Sequence, residues 1–259
     1  MQKMISLVII ALSALVVLPA QAADEVATIP QVSEGWRGSV TPYLWMTNIG
    51  GTVNYGETKL ASVDYNARDI LTNLNIAGML TLEAHNGRLG AMADMVYAKI
   101  NYQKSEVMGK PALSSNTTAE QGIYTFAATY TVHNTKDVYI DGLAGVRVMN
   151  VVTRTDLKVA DGPYGPSNSL ARSSTTPIGG VKGRVRIGES DYFVPFYFDV
   201  GGMGHDTEVT TQQMIGFGHA YYWGDATIGL KNLYNRQKAD GFTTTQSLFG
   251  VMAGLSFKF

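Results

Sequence analysis

Apolar and polar residues alternate with a period of two along nearly all of the chain after residue 35. This is the pattern of strands whose two faces meet different surroundings. In WRGSVTPYLWMTN, Trp36, Gly38, Val40, Pro42, Leu44 and Met46 share one face; Arg37, Ser39, Thr41, Tyr43, Trp45 and Thr47 share the other. IAGMLTLEAH sets Ile76, Gly78, Leu80, Leu82 and Ala84 against Ala77, Met79, Thr81, Glu83 and His85. Asn86-Gly87 follows, a type I′ turn signal, and RLGAMADMVYAKINY returns. The alternation continues in QGIYTFAATYTV, VYIDGLAGVRVMNVV, PIGGVKGRVRIG, YFVPFYFDVGGM, VTTQQMIGFGHAY and ATIGLKNLYNR, and in a last strand from near Thr245 to Phe259. Ten strands are predicted.

The connections have their own regularity. Those at Asn86–Gly87, His133–Asp137, Glu189–Asp191 and Tyr222–Asp225 are short. Most alternate ones are longer: Ile49–Asn75, Gln103–Thr118 and Thr153–Thr176, with Gly204–Glu208 and Gln237–Thr244 as short exceptions. Short turns at one end and long polar loops at the other are the asymmetry of a bacterial outer-membrane barrel. An even strand count puts both termini on the short-turn, periplasmic side. A β-sandwich also has many strands with one apolar face. The strands here run roughly 11–15 residues, against the ~5–6 usual in globular sheets. Aromatic residues collect near strand ends, at Trp36, Tyr97, Tyr102, Tyr192, Tyr221, Tyr222, Trp223, Tyr234 and Phe259, where two interfacial girdles require them. The fold class expected is therefore all-β: a transmembrane antiparallel β-barrel of about 10 strands over residues 36–259. Eight or twelve strands fit if the region Ile49–Asn75 is read differently, for instance as holding another hairpin.

Two features interrupt the pattern. NARDILTNL (Asn66–Leu74) spaces Ile70, Leu71 and Leu74 on one helical face, with Asn66 as cap. It reads as a turn of helix in the first outer loop, or as a plug folded into the lumen. Pro42 and Pro195 fall within strands, where each lacks a ladder donor, and a bulge is expected at each.

The first residues, MQKMISLVIIALSALVVLPAQAADE, carry Lys3, an apolar run from Ile5 to Val17 and the small-x-small site Ala20-Gln21-Ala22. This is the pattern of a secretory signal peptide over residues 1–22, too short for a membrane helix. Residues 23–35 are then a periplasmic N-terminal segment. Losing Lys3 takes the formal net charge from −1 to −2, which supplies no basic stripe for nucleic acid. The chain has no cysteine, so an exported protein of this length must be stable by its architecture alone.

TPYLWMTNIGGTV, DILTNLNIAGMLTLEAHNGRLGAMADMVYAKI, GLAGVRV and the aromatic C-terminal strand resemble a group of uncharacterised proteobacterial outer-membrane β-barrel proteins. The similarity covers most of the chain beyond the leader and departs from the group's pattern near GLKNLYNRQ. The resemblance implies an outer-membrane barrel and no particular activity.

In a barrel the face away from lipid is the lumen. Alternation places Arg37, Arg88, Arg147, Lys182, Arg184, Arg186, Lys231 and Lys258 there, with Glu83, Asp94, Asp141 and Asp199. Lys182, Arg184 and Arg186 form one column on a strand. Such a lining either favours anions in a narrow path or forms a pairing network that fills a small barrel. The network is the reading adopted, for a non-enzymatic protein with a narrow charged lumen that serves small-solute passage or envelope integrity. Surface adhesion through the loops is an alternative, with DGPYGPSNS (Asp161–Ser169) read as a mobile loop. A lipid-modifying enzyme is a further one, against which no histidine among His85, His133, His205 and His219 has a serine at recognisable spacing. His85 and His133 read as lying at periplasmic turns. His205, Asp206 and Glu208 offer three ligand types, but solvated turn residues explain them as well, and no metal or cofactor is predicted. The expected partners are outer-membrane lipid and lipopolysaccharide. Phe259, Phe257 and Leu255 resemble the terminal signal by which the barrel assembly machinery recognises clients, and the last strand is expected to close on the one around Val40.

Overall fold

The structure, a computed structural model, describes residues 26–104, 113–159, 164–204 and 206–259. The leader expected over residues 1–22 lies outside these, as does His205. Among the described residues the chain forms eleven strands and one helix: β1 (Trp36–Tyr55), β2 (Thr58–Tyr65), α1 (Ala67–Asn73), β3 (Leu74–Asn86), β4 (Leu89–Lys104), β5 (Leu113–Asn134), β6 (Val138–Val159), β7 (Tyr164–Arg186), β8 (Tyr192–Gly204), β9 (Thr207–Tyr221), β10 (Gly224–Ala239) and β11 (Phe242–Lys258).

Ten of the strands close into an antiparallel barrel. β3 to β11 pair in sequence order, β1 pairs with β3 through Trp36–Pro42, and β1 with β11 completes the ring. Closure leaves no strand edge within the ring, the condition for crossing lipid as a sheet. β2 lies outside the count. It folds back as a hairpin on Ile49–Tyr55, the half of β1 that has passed beyond β3. The hairpin weighed for Ile49–Asn75 is thus real but adds nothing to the ring.

The two faces separate as alternation requires. Leu44, Phe126, Val132, Phe198, Val200, Ile215, Ile228 and Phe249 are exposed on the outside, while Tyr43, Trp45, Ile123, Leu233 and Leu248 are buried inside. The exposed apolar belt lies toward the end where β1 begins and β11 finishes, here the near end. Rings of Tyr192, Phe217, His219, Tyr221, Trp223 and Phe257 follow one another there at 4.4–5.6 Å between centroids.

The far end corrects the expected loops. β5 begins at Leu113, β6 runs to Val159 and β7 starts at Tyr164, so most of the stretches read as long loops is ladder. At 22–23 residues these strands are about twice the ~9–11 that span a bilayer, and their far halves rise above the apolar belt. The part of Asp161–Ser169 that is described, from Tyr164 on, is strand.

The prolines also differ from expectation. The β1–β11 ladder skips Thr41 and Pro42, then resumes at Tyr43↔Gly254 in unchanged register. The Thr41 hydroxyl donates to Ser256 Oγ at 2.9 Å in the gap. Pro195 likewise keeps its pairing with Arg184, and β8–β9 resumes at Phe196↔Ile215 without a shift. A proline costs one donor on one side, and the pairing of the neighbouring residues carries the strand across. α1 starts as expected: Asn66 Oδ1 accepts from the Asp69 backbone N–H at 2.9 Å. The helix buries none of its residues, so it is part of the far-end connection and no plug.

Candidate functional site

Inward side chains of a closed barrel cannot reach lipid, and those shielded from water must satisfy one another. The lumen is built in layers on that rule.

At the near end, β7, β10 and β11 bring Arg184, Asp225 and Lys258 together. Arg184 donates to Asp225 Oδ2 at 2.8 Å and Lys258 to Asp225 Oδ1 at 2.6 Å. Both cations also reach residues 26–35, which cross the near mouth as a strap. Lys258 donates to the Ala27 carbonyl and Arg184 to the Thr28 carbonyl, each at 3.3 Å. Asn134 grips the strap from β5: its Nδ2 donates to Pro30 O at 2.7 Å, and its Oδ1 accepts from Val32 N–H at 3.2 Å. Thr28 and Ile29 are buried beneath.

The next layer holds Lys182, whose ammonium lies 2.5 Å from Glu83 Oε2 and 3.4 Å from Asp141 Oδ2. Asp141 accepts further hydrogen bonds from Thr131 at 2.8 Å and Tyr139 at 3.0 Å. His85 Nε2 stands 3.7 Å from Glu83 and 3.8 Å from Asp141, and Arg37 donates to the Tyr139 hydroxyl at 2.6 Å.

Two clusters fill the middle. Arg147 forms a two-pronged pair with Asp199 and also donates to Thr125, Thr210 and Gln212 at 3.2, 3.1 and 3.3 Å. Tyr197 donates to Asp199 Oδ2 at 2.6 Å. Lys231 donates to Asp94 at 3.0 Å and to the Tyr43 hydroxyl at 2.9 Å, and sits over the rings of Tyr43 and Trp45. Asp94 also accepts from Tyr43 and Thr81. An apolar layer of Val96, Ile123, Met149, Leu233 and Leu248 packs against Tyr43 and Trp45.

Of the positions assigned to the lumen, the structure brings Arg37, Glu83, Asp94, Asp141, Arg147, Lys182, Arg184, Asp199, Lys231 and Lys258 into these clusters. Two assignments are corrected. Arg88 is exposed at the β3–β4 turn and donates to Thr131 O at 3.0 Å. Arg186 folds onto the β7–β8 turn, donating to Ser190 O at 2.7 Å. Arg88 lies in a turn and Arg186 is the last residue of β7, so alternation no longer fixes their direction. The column Lys182–Arg184–Arg186 therefore serves three separate partners.

Sequence reasoning missed Asp225 and misread His85. Asp225 looked like part of a turn but is the second residue of β10 and fully enclosed. His85, read as a turn residue, is buried one layer in. Its place on the Glu83 face was the available signal. Of the three groups weighed for a metal, Glu208 pairs with Arg236 at 2.8 Å, and His205 lies outside the described residues. Beyond the apolar belt, Lys99 stands 2.7 Å from Glu120, and its hydrogen bond holds the Glu120 carboxyl below the usual carboxylate range.

No protein-family model matches the sequence, and no curated protein matches it. Solved structures do match in shape. The outer membrane protease OmpT from Escherichia coli superposes with a TM-score of 0.53 at 11% identity, over 89% of this chain and 99% of that one. The likeness is one of fold. The attachment invasion locus protein Ail of Yersinia pestis matches with a TM-score of 0.30 at 12% identity, over 87% of this chain and 100% of its own. The Pseudomonas putida toluene transporter TodX matches with a TM-score of 0.32 at 10% identity, over 95% and 93%.

Proposed function

We propose that the protein is a non-enzymatic integral barrel of the bacterial outer membrane, closed to solutes, that serves the envelope as a structural and surface element. On this reading it belongs with the group it resembles in sequence and is exported by a leader cleaved after residue 22. The near end is periplasmic, and the apolar belt meets lipid and, on its outer side, lipopolysaccharide. Phe259, Phe257 and Leu255, on the outward face of β11, are the signal for the assembly machinery.

One observation carries the closed state. The ion-pair layers fill the cross-section so fully that Asp141, Asp199, Asp225 and Arg147 are 0–1% exposed. Ion passage needs sites that a solute can enter and leave. Here the charges are committed to each other. Glu83, Asp94, Asp141, Asp199 and Asp225 each hold a lysine or arginine, so none of these lumen carboxylates is free for catalysis. Reconstituted in planar bilayers, the protein should show no stable conductance steps. Deleting residues 26–35 should not create them, because the two middle clusters remain. Porin-sized steps from either form would overturn the proposal.

A second reading, attachment through the far end, is supported by the projecting halves of β5, β6 and β7. It is compatible with a closed lumen and needs only the surface.

A further inference from the structure

Above the layer of Ile123, Leu233 and Leu248 the inward chemistry changes. Gln121 and Gln246 exchange amide hydrogen bonds across the lumen, at 3.0 and 3.2 Å. Gln237 Nε2 donates to Ser174 Oγ at 2.8 Å, and the hydroxyls of Thr117 and Thr155 meet at 3.2 Å. Alternation puts Thr153 and Thr244 on the same wall. Apart from Ser174 these side chains are half-buried, so the far half of the barrel is a cup that solvent enters.

Rings stand on one side of that cup. Tyr55 and Phe242 are opposite residues of β1 and β11, with centroids 5.0 Å apart. Tyr65 and Tyr102 lie 6.4 Å apart. Tyr55 shares its face with Trp45, Phe242 with Leu248, Tyr102 with Val96, and Tyr65 is paired with the inward Ile49. Tyr55, Tyr65 and Tyr102 are 56%, 44% and 44% exposed. Asn235 points inward from β10 beside Gln246, is 4% exposed, and its Oδ1 meets no donor. A buried acceptor without a partner is costly and marks a place where a ligand hydroxyl would bond.

Among the described side chains above the apolar layer, alternation turns the charges Arg172 and Glu208 inward, and Glu208 is already paired with Arg236. A phosphate, sulfate or carboxylate ligand is normally held by several cations in charge-assisted bonds. A purely apolar ligand would strip water from the amides and give nothing back. Sugars without charge match both halves of the lining. Their C–H faces stack on aromatic rings, and their hydroxyls both donate to and accept from amides and hydroxyls.

We infer that this far-end cup binds a neutral carbohydrate, with Tyr55, Phe242, Tyr65 and Tyr102 as the stacking wall and Gln121, Gln246 and Asn235 as the hydrogen-bonding floor. The site is independent of whether the lumen below conducts. The test uses the full-length folded protein in vesicles free of glycolipid and of sugar-headed detergent. These are applied to an array of neutral oligosaccharides, with sulfated and sialylated glycans as comparators, and hits are titrated by calorimetry. Neutral glycans should be retained above protein-free vesicles. Tyr55→Ala, at an exposed ring, and Gln246→Ala should each weaken the best hit tenfold or more while the barrel keeps its folded gel mobility. Retention of no neutral glycan, stronger retention of charged ones, or neutral binding untouched by Tyr55→Ala in the folded barrel would each overturn the inference.

Discussion

Arg147 is fully enclosed, and its guanidinium bonds to Asp199, Thr125, Thr210 and Gln212. Removing such a cation alone strands a buried carboxylate, which typically costs about 3–5 kcal/mol, whereas removing both charges for apolar groups of similar volume is often neutral or stabilising. Arg147→Met should therefore lower the unfolding free energy of the barrel, read from urea titration, by an amount in that range, and Arg147→Met with Asp199→Leu should recover most of it. Equal losses in the single and double variants would mean that packing, not charge, holds this layer. Alternation was enough to place Arg147 and Asp199 inside. It was not enough to pair them, because partners across a lumen are set by strand tilt and stagger, which a period of two does not encode. The split of Lys182, Arg184 and Arg186 shows the same gap. Each two-residue step climbs roughly 6–7 Å, enough to move from one layer to the next.

The β1–β11 seam is the element on which closure depends. Gly38 and Phe259 exchange backbone hydrogen bonds at 2.7 and 3.1 Å, and the Phe259 ring covers Gly38, where a Cβ would lie 2.6 Å from it. Further along, a Cβ on Gly250 would collide with the Met46 carbonyl, a backbone atom that cannot swing aside. Gly250→Val should therefore block closure and abolish the heat-modifiable folded band. Phe259→Asp should reduce the folded fraction in bilayers, while Phe259→Leu retains it. Normal folding of both Gly250→Val and Phe259→Asp would show that the seam tolerates what the geometry forbids. The ten strands of the ring were legible; strand ends and β2 were not. Where β5, β6 and β7 rise out of the apolar belt, water lies outside as well as in the cup, and the contrast between faces fades. SSNTT then reads as loop although it is ladder. The hairpin of β1 and β2 was blurred for the same reason, since every residue of β2 is exposed.

Among the described residues the molecule is a ring filled at mid-height by paired charges, lined above by amides, hydroxyls and rings, and crossed below by the strap. Asn134 holds the strap through two hydrogen bonds, each of a kind worth about 0.5–1.5 kcal/mol. Asn134→Ala should make residues 26–35 cleavable by added protease while the barrel's own unfolding midpoint moves little. Continued protection of the segment would show that Thr28 and Ile29 alone anchor it. The strap touches β5 through Asn134, β7 through Arg184 and β11 through Lys258. Its seat therefore does not exist until β11, the final strand, is in place. The earliest described residues of the chain are in this way assigned a late event of folding. Pulse-labelled hydrogen exchange should find their amides protected only after β11 has paired, so that the strap acts as a latch recording that the final strand has arrived.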